Sequence, residues 1–134
     1  MKKGLFLKRD LFLNQLDLEV KRAIRYQNFF SILKLKLVRL PGNENGKGLQ
    51  TCYQNLNCLL IEELRESDIL GSLEDDQLAI LLPYADLSDC GPFRSRLEGL
   101  LKYYEFKEKG YEVMTDLICF PTDGTDPTDL IRKL

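Results

Sequence analysis

Apolar residues in this chain switch between two spacings, and that switching limits the fold more than any other feature. From Asp10 to Tyr26, Leu13, Leu16, Val20 and Ile24 recur at steps of three and four, which is one stripe of a helix. Asp10 suits its start, and Lys21, Arg22 and Arg25 suit its carbonyl end. From Phe29 to Leu40, Leu33, Leu35 and Leu37 alternate with Lys34, Lys36 and Val38, a strand pattern. Pro41 to Gly48, PGNENGKG, has loop composition. Leu49 to Arg65 returns to helical spacing, with Leu49, Cys52, Leu56, Leu59, Leu60 and Leu64 on the inner face. Asp68–Leu73 and Leu78–Leu82 read as two short strands around an acidic turn, Glu74-Asp75-Asp76-Gln77. Ser88, Asp89 and Pro92 signal a helix over Phe93 to Phe106. Tyr111 to Phe120 reads as a strand, and Asp126-Pro127 opens a last helix, Thr128 to Leu134. The order helix, strand, helix, hairpin, helix, strand, helix predicts one α/β domain over 1–134 with a central mixed sheet.

Composition narrows the chemistry. At 44% hydrophobic and 30% charged residues, the chain reads as a soluble globular protein. Its apolar runs are too short to span a bilayer. Lys8, Arg9 and Asp10 interrupt the start MKKGLFLKRD, so a signal peptide is not expected and the expected compartment is the cytoplasm. A formal net charge of -2 disfavours binding to nucleic-acid polymers by bulk charge, although a few placed arginines can hold a small anion. The chain has no histidine, which removes the Ser–His and Cys–His nucleophile classes. Cys52, Cys58, Cys90 and Cys119 lack paired spacing and are expected to be buried thiols; no metal site is expected.

Four segments, in order, resemble the GGDEF family of bacterial diguanylate cyclases. GLFLKRDLFLNQL resembles the family's Gly-Leu-x-Asn-Arg opening before its first helix. AIRYQNFFSILKLKLVRL resembles that helix's end and the first long strand. LRESDILGSLEDDQLAILLPYADL resembles the segment containing the signature hairpin, and ICFPTDGTDPTDLIRKL resembles the closing strand, loop and helix. The resemblance spans nearly the whole chain. It implies a GGDEF/nucleotidyl cyclase-like α+β domain with a central mixed five-stranded sheet flanked by helices. It also leaves room for sensor or output domains beyond the chain.

The resemblance further implies a degenerate catalytic site. Glu74 and Asp75 stand where the signature has two glycines that let GTP phosphates approach the backbone; added carboxylates repel a triphosphate. Asp76 keeps the acidic third position, Gln77 replaces the fourth, normally Glu, and Leu78 replaces the fifth, normally Phe. Lys36 falls at the magnesium-holding Asp of the first long strand, and an ammonium cannot ligate that ion. Lys36 is therefore expected to pair with Asp76. The substrate loop is shortened to GNENGKGLQ, with Gln50 at its last Asp position. No catalytic residue and no cofactor are expected.

A second family site is retained in the resemblance. Arg65-Glu66-Ser67-Asp68 precedes Glu74 at the spacing of the family's product-binding Arg-x-x-Asp motif, and Arg96, with Arg94 nearby, falls at the second arginine. Alone, such a motif describes an exposed ion pair of little consequence. At this register it implies a cyclic di-GMP site: guanidinium groups donate paired bonds to phosphate or to guanine O6 and N7, and a carboxylate accepts from guanine N1–H and N2–H. In the family an intercalated dimer of the ligand fills this site, and a second domain can complete it. The expected function is that of a cyclic di-GMP receptor similar to PelD-type proteins, which control exopolysaccharide secretion. The alternative is a ligand-independent dimerisation or docking module.

Overall fold

The structure, a computed structural model, describes residues 5–104, 106–124 and 126–134. Gly4 of the opening motif and Thr125 of the last loop lie outside the described residues. Five strands make one mixed sheet: β1 (Leu5–Leu7), β2 (Phe30–Arg39), β3 (Ile69–Glu74), β4 (Gln77–Pro83) and β5 (Tyr111–Phe120), in the order β1-β3-β4-β2-β5. β1 runs parallel to β3; the β3–β4, β4–β2 and β2–β5 pairs are antiparallel. Apolar spacing yields only four of these strands, because the three residues of β1 are too few to display a period.

Helices cover both faces. α1 (Arg9–Tyr26) and α4 (Pro127–Lys133) pack on one side, α2 (Leu49–Glu63) and α3 (Leu87–Tyr103) on the other. β2 is central, so both of its faces are covered at Phe30 to Leu33, and its alternation appears only toward the open end, where Lys36 and Val38 are exposed. Leu33, Leu35 and Leu37 join the α2/α3 core, whereas Phe30 and Ile32 join the α1/α4 core.

Of the expected stripe on α1, Leu16 and Val20 are buried, joined by Phe12, Glu19 and Ala23, and Leu13 packs against the same core; Ile24 departs from it at 59% exposed. Each step of four rotates a helix position by about 40°, which carries Ile24 off the buried face. Lys8 is the N-cap, and Asp10 sits in the first turn instead of capping it. Phe12 lies flat on β3 at Gly71, where an added Cβ would fall 2.2 Å from its ring. Gly71 pairs with Ala79, so two small residues form the slot that the ring fills. The end of α1 is fastened to β4: Arg22 hydrogen-bonds Glu19 and the Tyr84 hydroxyl, and its guanidinium lies over the Tyr84 ring at 4.5 Å.

α3 starts earlier than Ser88, Asp89 and Pro92 suggested. Asp86 is its N-cap: the Asp86 side chain accepts from the Asp89 N–H at 2.9 Å, and the Asp89 carboxylate from the Asp86 N–H at 3.1 Å. Pro92 therefore sits inside the helix, one turn past an exposed Ser88 whose carbonyl water can satisfy. Phe106 is buried, whereas Tyr103 and Tyr104 stand 79% and 53% exposed. Of the cysteines, Cys52 and Cys90 are buried and Cys119 is partly so, but Cys58 lies on the outer face of α2. Among the described residues, no helix is long and apolar enough to cross a membrane.

Candidate functional site

Residues from three parts of the fold meet beyond the C-terminal end of α2. The chain turns sharply from α2 into β3, and the Asp68 N–H donates to the Arg65 carbonyl at 3.0 Å. This turn folds the Asp68 side chain back beneath Arg65. One Asp68 oxygen accepts from the Arg65 backbone N–H at 2.9 Å and from Nε at 3.4 Å; the other accepts from the guanidinium Nη2 at 3.2 Å. Asp68 is 1% exposed, while the Arg65 side chain is 62% exposed. A buried carboxylate thus anchors a guanidinium whose far side faces solvent.

Arg96 reaches the same place from α3. Its Nε lies 3.2 Å from the Glu63 carboxylate at the end of α2, and its guanidinium sits over the Phe93 ring at 5.2 Å. Arg65, Asp68 and Arg96 line one cleft of about 280 Å³, whose floor includes Leu82, Cys90 and Phe93. Burial pushes the Cys90 thiol up, so it serves as floor and not as a nucleophile. The cleft is at the small end of ligand pockets.

Two of the expected ligand-binding residues already have partners within the fold. Arg94 is turned away: it donates to the Thr115 hydroxyl at 3.0 Å and the Thr115 carbonyl at 2.9 Å, which ties α3 to the edge of β5. Each helix position turns by about 100°, so residues two apart stand about 200° apart, and Arg94 and Arg96 fall on different faces of α3. Asp68 was expected to receive a guanine edge, but it is buried and already accepts three bonds from Arg65; in this state it positions Arg65. Glu63 was missed by sequence reading. The signal for it was a carboxylate in the last turn of a helix that carries no basic residue there.

At the opposite end of the sheet is the hairpin. Glu74 pairs with Gln77 across the Asp75-Asp76 turn, with a bulge between Ser72 and Glu74. Arg9 lies 3.8 Å from Glu74 and donates to the Leu73 carbonyl at 3.0 Å. Leu78 is fully buried in the core. The expected Lys36–Asp76 ion pair does not form. Lys36 is exposed and in register with Gln77, and it is the backbone carbonyl of Asp76 that meets β2, accepting from the Leu37 N–H at 2.9 Å. Among the described residues no group of three His, Cys, Asp or Glu side chains could hold a metal ion. Beside the hairpin Lys36 presents an ammonium, which cannot ligate a hard cation. The shortened loop folds against β5: Tyr111 donates to the Gly46 carbonyl at 2.8 Å, and Asn43 to the Gly110 carbonyl at 3.2 Å. Gln50 is exposed in the first turn of α2.

No family model matches the chain, and no curated protein matches its sequence. Solved structures do match. A DGC protein of Thermotoga maritima superposes with a TM-score of 0.80 at 18% identity, covering 96% of this chain and 92% of that one. The GGDEF domain of the YfiN (TpbB) protein of Pseudomonas aeruginosa superposes with a TM-score of 0.77 at 18% identity, covering 95% and 78%. A sensory box/GGDEF family protein of Caulobacter crescentus gives 0.63 at 12% identity, covering 93% and 85%. The chain therefore has the fold of GGDEF domains, a mixed five-stranded sheet with helices on both faces.

Proposed function

We propose that this domain binds cyclic di-GMP through Arg65 and Arg96 and does not synthesise it. The observation that carries the reading is the convergence on one cleft of Arg65 and Asp68, from the turn between α2 and β3, with Arg96 from α3. Arg65 offers a guanidinium pre-oriented by a buried carboxylate, the arrangement that suits forked recognition of a phosphate or of guanine O6 and N7. Phe93 under Arg96 keeps the second guanidinium flat, so that it can stack on a base as well as donate. A cleft that covers only one side of the ligand favours a stacked dimer of cyclic di-GMP, completed by a second copy or a partner domain. The output, in the manner of PelD-type receptors, would be control of exopolysaccharide secretion from the cytoplasmic side.

Loss of cyclase activity is the other half of the proposal. Its support is a hairpin with two carboxylates at its tip and a lysine at the strand position where magnesium would need oxygen. Incubation with GTP and magnesium is expected to yield no cyclic di-GMP by chromatography; product formation would refute this half. For binding, photocrosslinking of labelled cyclic di-GMP is expected to be competed by unlabelled cyclic di-GMP and not by equal GTP. Equal competition by GTP would point to a general nucleotide site, and no labelling would favour a ligand-independent docking module.

A further inference from the structure

We infer that Glu63 is an internal competitor for the ligand, a carboxylate that occupies Arg96 until an anionic ligand displaces it. The inference rests on the cyclic di-GMP reading of the cleft. Glu63 is the last residue of α2 and follows Glu62, and no basic residue lies in that turn. The carbonyl end of a helix already carries partial negative charge, so two carboxylates there oppose the helix itself. What holds Glu63 in place is Arg96, 3.2 Å away across the gap from α3.

The consequence for the cleft is electrostatic. Arg65 is matched by Asp68, and Arg96 by Glu63, while Asp89 adds a further negative charge to the lining. The ligand-free cleft is therefore not electropositive, although two arginines line it. The two pairs differ in how firmly they hold. Asp68 is buried with three bonds from Arg65, so that pair stays. The Glu63 and Arg96 side chains are 28% and 57% exposed and share one contact, the kind of pair that water and salt weaken. A phosphate can take Arg96 by displacing Glu63, which is free to turn to solvent. Glu63 thus lowers affinity and favours ligands that bring a full phosphate charge over neutral guanine-containing ones.

The test is calorimetric titration of cyclic di-GMP into wild type, Glu63→Gln, Arg96→Ala and the double variant, with melting curves to show that each is folded. Glu63→Gln is expected to bind about threefold to fivefold more tightly. Arg96→Ala is expected to bind more weakly. In the Arg96→Ala background, Glu63→Gln is expected to change nothing, because its effect runs through Arg96. Equal affinity of Glu63→Gln and wild type would overturn the inference. So would a gain that persists without Arg96, since Glu63 would then act only as a general negative charge. If neither wild type nor Glu63→Gln binds, the receptor reading fails and this inference with it.

Discussion

Gly71→Ala is expected to lower the melting temperature by roughly 10 °C. The new Cβ would sit 2.2 Å from Phe12 Cδ1 and 2.3 Å from Cγ. Phe12 is fully buried between α1 and β3, so it cannot swing away without lifting the helix. Overpacking of this kind costs about 3 kcal/mol when the neighbour cannot yield. Gly99→Ala is the internal control. Gly99 lies in α3 with open space around it, and alanine there favours the helix by up to about 1 kcal/mol, so the melting temperature should rise slightly. Thermal denaturation followed by circular dichroism measures both. Equal melting of Gly71→Ala and wild type would mean that Phe12 does not seat on β3 as described.

Arg65→Ala is expected to reduce cyclic di-GMP affinity at least tenfold on the proposed function. Charge-assisted hydrogen bonds are worth roughly 1.5–3 kcal/mol each, and Arg65 can make two to one phosphate or guanine. The variant also removes two of the bonds to buried Asp68, so some loss of stability accompanies it; the Arg65 backbone N–H still serves that carboxylate at 2.9 Å. Arg65→Lys separates the two effects. Lysine keeps the charge near Asp68 but not the planar fork, and is expected to fall between wild type and alanine in affinity. Isothermal titration at a temperature where all three are folded gives the comparison. Undiminished affinity in Arg65→Ala would place the ligand elsewhere.

Much of this architecture was legible because long elements carry many periods. β2, β5, α2 and the hairpin lie within one or two residues of where alternation and stripe spacing put them. β1 was not legible: three residues gain their identity only by pairing with β3. The start of α3 was misplaced because Pro92 looked like a first-turn signal, whereas the Asp86–Asp89 capping box set the boundary. At the candidate site, the Arg65–Asp68 spacing was readable because both ends lie in one turn. Arg96 followed from a register, but its divergence from Arg94 depended on helix rotation that residue types alone do not display. Glu63 and the burial of Asp68 are consequences of how α2, α3 and β3 meet, and no local pattern encodes them. Lys36 shows the same limit. Substitution at a metal position suggested an ion pair, yet the hairpin met β2 through a backbone carbonyl instead.

The central claim is that the Arg65–Asp68–Arg96 cleft takes cyclic di-GMP. Titrating the dinucleotide into the purified domain while following heat and melting temperature tests it most directly. Wild type is expected to give a saturable heat and a melting temperature that climbs with ligand concentration, as linkage requires. Dilution heats alone, with no thermal shift at millimolar ligand, would contradict it.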